Sequence, residues 1–194
     1  MRAVFVKMID CVGPLPRTKS GNKYLLTIMC KSTRFPEAVP LRNIKTKAVV
    51  KALKKFFCFV GVPRSCQHDQ GSNFMSNLFQ QVMYELGVKN DHSTAYHPQS
   101  QGALERFHQT LKSMLKKYCI QYSKDWDEGV HFVLFAAREA VQDSLGFSPF
   151  ELVFGHTVRG PLQLLKEKWL TETSQLNLLD YVSDFKEKIF NAVK

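Results

Sequence analysis

Apolar positions come in short runs through the first hundred residues and at helical spacing after them. Val4 to Val12 reads as a strand, with Asp10 near its end and Gly13-Pro14-Leu15-Pro16 stopping it. Gly21-Asn22 turns into a second apolar strand, Lys23 to Cys30. Arg34 to Leu41 makes a third, which Pro36 assigns to an edge or a bulge. Asn43 is placed to cap a helix from Ile44 to Val60. Its apolar stripe is Val49, Leu53, Phe56, Phe57 and Val60, its other side carries Lys47, Lys51, Lys54 and Lys55, and Gly61 with Pro63 ends it.

Val62 to His68 returns to strand, Asp69-Gln70-Gly71-Ser72 is a turn, and Phe74 to Leu86 is helical with Gly87 as its C-cap. Val88 to Thr94 is a further strand, followed by a loop over Ala95 to Gln99. Ser100 caps a long helix to Tyr122, whose core stripe is Leu104, Phe107, Leu111, Met114, Leu115 and Tyr118. Asp127 to Asp143 is another amphipathic helix, Phe150 to Phe154 a short helical piece, and 162–194 a more polar tail of helical pattern. Three antiparallel strands followed by alternating helices and strands predict an α/β fold, a mixed sheet covered by helices.

With 194 residues, 44% of them apolar, the chain can bury one core and carry an extension. No apolar run is long enough to span a bilayer, so no membrane association is expected. Met1 to Asp10 lacks the features of a signal peptide, which points to a cytosolic or nuclear protein. The five cysteines are odd in number and include no CxxC pair, which argues for buried free thiols rather than disulfides or a zinc site. His92 and His97 find no Cys or His pair to complete a zinc set, and none of the six histidines is read as a ligand. Residues 1–60 hold 13 Lys and Arg against 2 acids, whereas the rest of the chain is close to neutral. That asymmetry is compatible with a polyanion partner such as nucleic acid, and equally with a solvated lysine face.

Three acids stand where chemistry would use them. Asp10 sits in an apolar run, where a carboxylate is costly unless a cation or hydrogen bonds meet it. Asp69 ends a strand and precedes a glycine turn, and Glu105 lies in the first turns of the long helix, whose dipole favours its charge. Hard oxygen donors from separate elements suit Mg²⁺ or Mn²⁺. Taken singly, the aspartates are better read as turn formers and the glutamate as a surface charge.

Asp69 and Glu105 are separated by thirty-five residues. Around them stand Ile9-Asp10-Cys11-Val12-Gly13-Pro14-Leu15-Pro16, His68-Asp69-Gln70-Gly71-Ser72-Asn73-Phe74, Thr94-Ala95-Tyr96-His97-Pro98-Gln99-Ser100-Gln101-Gly102-Ala103-Leu104-Glu105-Arg106 and Ser148-Pro149-Phe150-Glu151-Leu152-Val153-Phe154-Gly155. In these segments, over residues 4 to 160, the chain resembles the integrase catalytic core of Gypsy-type LTR retrotransposons, in the retroviral integrase superfamily. The resemblance implies an RNase H-like fold, a mixed five-stranded sheet flanked by helices. It implies a catalytic, metal-holding triad of Asp10, Asp69 and Glu105, two Mg²⁺ or Mn²⁺ ions, and the joining of element DNA ends to target DNA. It also implies a homo-oligomer and nuclear localisation with cytoplasmic passage.

The same resemblance makes Gln101, Lys112 and Lys116 candidate DNA contacts beside Glu105, to which the lysine-bearing helix adds Lys51 and Lys55. Tyr96 to Gln99 would form a loop over the site, and Asn73 would support the Asp69 turn. The chain departs from the family at His68, where a small hydroxyl residue is usual, and at Cys66, usually a branched apolar residue. The domain reading is a catalytic core over 1–160 and a helical extension or linker over 161–194. The expected chain is a fragment or truncated copy without the family's N-terminal His/Cys zinc-binding domain or a full C-terminal DNA-binding domain. The competing readings are an RNase H-like nuclease and a retired or host-recruited element that only binds nucleic acid or protein.

Overall fold

A computed structural model describes residues 6–69, 71–92 and 98–160, with the backbone alone for 92 and 98–101. The described chain divides into two compact units, one up to Gln109 and one from Thr110 onward. The tail over 161–194 and the loop residues 93–97 lie outside the described residues.

In the first unit, β1 (Val6–Val12), β2 (Tyr24–Cys30), β3 (Pro36–Leu41), β4 (Ser65–His68) and β5 (Lys89–His92) form one sheet in the order β3-β2-β1-β4-β5. The strands β1, β2 and β3 pair antiparallel, while β4 runs parallel to β1 and β5 parallel to β4. This is the mixed five-stranded sheet with flanking helices of an RNase H-like fold. Pro36 and Pro40 fall in the edge strand β3, where a missing N–H donor is tolerated.

Alternation sorts the side chains of β1 onto two faces. Ile9, with Leu26 and Ile28 of β2 and Cys66 of β4, packs against α1 (Thr46–Val60) and α2 (Asn77–Glu85) through Val49, Leu53, Phe56, Phe57, Phe79 and Met83. Met8 and Asp10 point to the other face, where Leu104 and His108 of α3 (Pro98–Tyr122) lie. Lys7, one of the thirteen cations of the first third, is not a surface charge. It is 5% exposed, and its ammonium lies 5.3 Å from the centre of the Phe56 ring. Burial lowers its pKa.

Helix α1 begins at Thr46 rather than Ile44, and its N-cap position is Lys45, which makes no side-chain cap bond. Asn43 spends its Oδ1 on the Lys45 N–H at 3.1 Å, in the turn before the helix. A missing cap costs about 1 kcal/mol. Each fully buried Leu or Phe contributes roughly 1.5–3 kcal/mol, so the stripe of Leu53, Phe56 and Phe57 holds this helix without it. Helix α2 is capped by Ser76, whose side chain accepts from the Phe79 N–H. Gly87, just beyond its Leu86 C-cap, has φ 67°. Helix α3 begins at Pro98, so Ser100 lies inside it and is not its cap.

The second unit contains the continuation of α3, then α4 (Trp126–Glu139) and α5 (Pro149–Phe154). Leu111, Met114, Leu115 and Tyr118 of the predicted stripe are all buried. The segment Ser148 to Gly155 is a complete short-helix signal. The Ser148 hydroxyl accepts from the Glu151 N–H, and the Glu151 carboxylate accepts from the Ser148 N–H at 2.8 Å. Pro149 opens the helix, and Gly155 closes it with φ 76°. Among the described residues no helix is long and apolar enough to cross a membrane.

Candidate active site

The parallel register of β1 and β4 builds the site. Ile9 pairs with His68, so the next residues, Asp10 and Asp69, emerge side by side at the carboxyl end of β4. Open α/β sheets collect ligands at such strand ends. The pair is central in the sheet, between neighbouring strands, not at an outer edge. Met8, Asp10, Gln67, Asp69, Leu104, Glu105 and His108 are among the residues lining one cavity of about 80 Å³, room for several water-sized groups.

Each carboxylate is held differently. Asp10 is partly buried, and its Oδ1 accepts from the Cys11 N–H at 2.7 Å. Its Oδ2 lies 3.7 Å from Nδ1 of His108. Asp69 is exposed, and its Oδ1 accepts from the Gly71 N–H at 3.0 Å, which ties the turn. A Cβ on Gly71 would stand 2.7 Å from Asn73 Oδ1 and 3.0 Å from Asp69 Oδ1, so the turn needs glycine there. Glu105 is exposed on α3.

The electrostatics show in Cys11, whose thiol is pushed up to about 12, first by burial and then by the negative charge of Asp10 and Asp69. Among the described residues, no group of three or more His, Cys, Asp or Glu side chains is gathered tightly enough to enclose an ion. The three carboxylates share one cavity. Their oxygen chemistry and common cavity fit a divalent cation.

Other expected residues divide. Asn73 is buried and donates from Nδ2 to Cys11 Sγ at 3.5 Å, while its carbonyl accepts from Thr46 and Ser76. This side-chain bond ties the turn to β1 through Cys11. His68, unusual in the resemblance, is 2% exposed, stacked on Phe74 and edge-on to Phe79. Its Nδ1–H donates to the Asp69 carbonyl at 2.7 Å, so it supports the strand end from the core. Cys66 is wholly buried, its thiol raised to about 12 chiefly by that burial. Cys58, by contrast, is an exposed thiol, because it falls on the polar side of α1.

Lys47, Lys51, Lys54 and Lys55 are all exposed on α1. Lys112 and Lys116 are exposed on the α3 continuation in the second unit. Gln101 lies in α3 with its side chain outside the described residues, as do Tyr96 and His97 entirely. Two site residues were not foreseen from the sequence, His108 and Thr27. Thr27 is fully buried, pairs with Asp10 across β1 and β2, and touches both Asp10 and His108. The available signal was the four-residue stretch from Glu105 to His108, which puts both on one helical face.

Comparison with known proteins agrees with this geometry. Residues 7–98 match the family model described as integrase core domain. The chain is 29% identical over 183 residues to the Retrovirus-related Pol polyprotein from transposon 412 of Drosophila melanogaster, covering 94% of this chain and 15% of that polyprotein. The chain thus spans about 15% of the length of this curated relative. Among solved structures, an intasome of simian T-cell lymphotropic virus in complex with the PP2A regulatory subunit B56 gamma aligns with a TM-score of 0.68 at 18% identity, covering 90% of this chain and 58% of that one. The catalytic core domain of HTLV-2 integrase, solved with magnesium in a trimeric form, aligns with a TM-score of 0.65 at 16% identity, covering 77% of this chain and 96% of that one. Through residues 7–98, and with the mixed sheet those residues build, the chain belongs to the integrase core domain family.

Proposed function

We propose that this chain is the catalytic core of a retrotransposon integrase, a metal-dependent polynucleotidyl transferase that joins element DNA ends to target DNA. The observation that carries the reading is the single cavity lined by Asp10, Asp69 and Glu105 at the adjoining ends of β1 and β4. In the reaction, a DNA 3′-hydroxyl displaces a 3′-oxygen at a phosphorus of the target strand. One P–O bond forms, one breaks, and a proton passes from the attacking oxygen to the leaving one through solvent. Two Mg²⁺ or Mn²⁺ ions at such a site supply Lewis-acid polarisation of the phosphodiester.

The chain's own residues do the rest. Asp10, Asp69 and Glu105 hold the cations, with Asp10 oriented by the Cys11 N–H and Asp69 by the Gly71 N–H. Gln101, Lys112 and Lys116 contact donor DNA, and the exposed face of α1 at Lys51 and Lys55 tracks a phosphate backbone. The partners are DNA and further copies of the chain, by analogy with the neighbours described as an intasome and a trimeric form. The place of action in this reading is the nucleus, after cytoplasmic passage. The catalytic core extends to residue 160, with 161–194 as an extension.

A disintegration assay on branched DNA with Mn²⁺ tests the reading. The wild-type chain should release the joined strand, Asp69→Asn should not, and an RNA–DNA hybrid should stay intact. Equal activity of Asp69→Asn, or cleavage confined to the hybrid, would overturn it.

A further inference from the structure

Helix α1 starts without a side-chain cap at Lys45, and Asn43 spends its acceptor on the turn before it. The hydroxyl of Thr46, the first residue of the helix, reaches instead to the segment that follows Asp69, twenty-seven positions away. Thr46 Oγ1 lies 3.2 Å from the Asn73 carbonyl oxygen and 2.9 Å from Ser76 Oγ, which itself lies 3.0 Å from that carbonyl. Each hydroxyl has one hydrogen. Every arrangement of the two hydrogens over these contacts leaves the carbonyl with a donor and Thr46 bonded to the segment.

The two hydroxyls differ in what they tie. Ser76 is three residues from Asn73, so its bond travels with the turn. Thr46 stands on α1, which Val49, Leu53, Phe56 and Phe57 fix to the sheet. Asn73 carries the tie onward to Asp69. A Cβ on Gly71 would stand 2.7 Å from Asn73 Oδ1 and 3.0 Å from Asp69 Oδ1, so both oxygens border the same small gap. Inside the turn, the Gly71 carbonyl accepts the Phe74 and Met75 N–H groups, each at 2.9 Å, and Asp69 Oδ1 accepts the Gly71 N–H. Asp69 is exposed and bonded within its own turn, so its direction follows the turn as a body. The bond from Asn73 Nδ2 to Cys11 Sγ, at 3.5 Å, is a weaker tie to a second element, because sulfur is a weak acceptor.

We propose that Thr46 is a positioning residue for strand transfer, its hydroxyl holding the Asn73 peptide to α1 and so aiming Asp69 into the cavity it shares with Asp10 and Glu105. The inference rests on the polynucleotidyl-transfer reading above. A helix start left uncapped while its hydroxyl serves another segment breaks a local rule, and such breaks gather at functional sites. The tie also seats the catalytic turn on the helix whose Lys51 and Lys55 track the phosphate backbone in that reading.

The test compares wild type, Thr46→Val and Thr46→Ser as full chains. Valine keeps the shape and removes the hydroxyl, whereas serine keeps the hydroxyl. In the disintegration assay with Mn²⁺, Thr46→Val should lower kcat about two- to tenfold, the span that one neutral hydrogen bond is worth, with KM for the branched DNA unchanged. Thr46→Ser should restore it. In the protein free of metal and DNA, the Phe74 and Met75 amides should exchange with solvent faster in Thr46→Val, by a similar factor, and return to the wild-type rate in Thr46→Ser. Exchange identical in all three chains, a kcat in Thr46→Val equal to wild type, or a serine variant as impaired as the valine one would sink the role of Thr46 and leave the integrase reading standing. A change in KM alone would also overturn it, because the hydroxyl would then serve the DNA rather than the turn. A wild type inactive on branched DNA, in which exchange still separates valine from serine, would instead sink the transfer reading and reduce Thr46 to a tie within the fold.

Discussion

Replacing Asp69 by Asn separates the turn from the charge. In the native turn, Asp69 Oδ1 accepts the Gly71 N–H at 3.0 Å. Asparagine keeps that acceptor oxygen and removes only the negative charge. Without divalent metal, the variant should therefore melt at the wild-type temperature or slightly above, since one of three repelling carboxylates is gone. With metal the two should part. A cation at one hundred times its dissociation constant stabilises the native state by about 2.7 kcal/mol. For a chain of this length, each kcal/mol moves the melting temperature by about 2–4 °C, so the wild type should gain about 5–11 °C. Asp69→Asn should lose most of that gain. Asp69→Ala serves as the contrast, because it also removes the exposed turn bond and should start about 1 kcal/mol lower. Scanning calorimetry in MgCl₂ or MnCl₂, against EDTA at matched ionic strength, reads all three. An equal metal-induced shift in Asp69→Asn would refute the reasoning, because the cation would then be acting elsewhere.

Removing Lys51 and Lys55 together should weaken DNA binding for all sequences alike, and flatten the salt dependence of log affinity by up to about two units, at about 0.9 per lost phosphate contact; an unchanged slope in a filter-binding titration would return that face to solvent. Removing Lys112 and Lys116 should instead reduce strand transfer more than binding. Ser148→Ala should destabilise the fold by about 1 kcal/mol in a urea titration. The bonds from Ser148 hold the Glu151 carboxyl below its ordinary value of 4.5, so its contribution is present above that value and lost as pH falls through the lower folded one; in Ser148→Ala this acid sensitivity should shrink. Gly129→Ala would place a Cβ 2.6 Å from the ring of Tyr118, which is 2% exposed; thermal melts should show a loss of about 1–3 kcal/mol, and an unchanged melt would mean that the ring yields.

The sheet was legible because the first three strands are bounded by Gly and Pro and filled by apolar residues, and Asp10 stood out as a charge within such a run. The cap at Asn43 was misjudged because its side chain serves the turn two residues early, and buried phenylalanines make a cap dispensable. Lys7 was counted with the surface charge because a lysine stem and a Phe ring can meet only in the folded sheet. His108 was passed over because helical spacing places it beside core Phe107 without saying what it faces. Its neighbour Thr27 is eighty-one positions away, and only the pairing of β1 with β2 brings the two together. Cys58 escaped the expectation of burial because it falls among the lysines on the polar side of α1.

The parallel seam between β1 and β4 also sets an order of events. β1, β2 and β3 follow one another through short connections, whereas Asp69 lies fifty-nine positions beyond Asp10 and reaches it only after α1 has crossed over. Non-local pairing of this kind is slow compared with hairpin closure. At about 5–20 residues per second, a ribosome needs about 3–12 s to deliver Asp69 after Asp10. During that interval the eventual centre of the sheet is an outer strand, with a row of unpaired backbone groups open to any other chain. Lys7 and Asp10 place opposite charges on opposite faces of that strand, the kind of device that discourages wrong partners at an edge. Pulsed amide exchange during refolding should accordingly protect β2 against β1 before β4, and simultaneous protection of all three would mean that the crossover closes as fast as the hairpins. The two charges of β1 thus shield the strand while it waits for its neighbour.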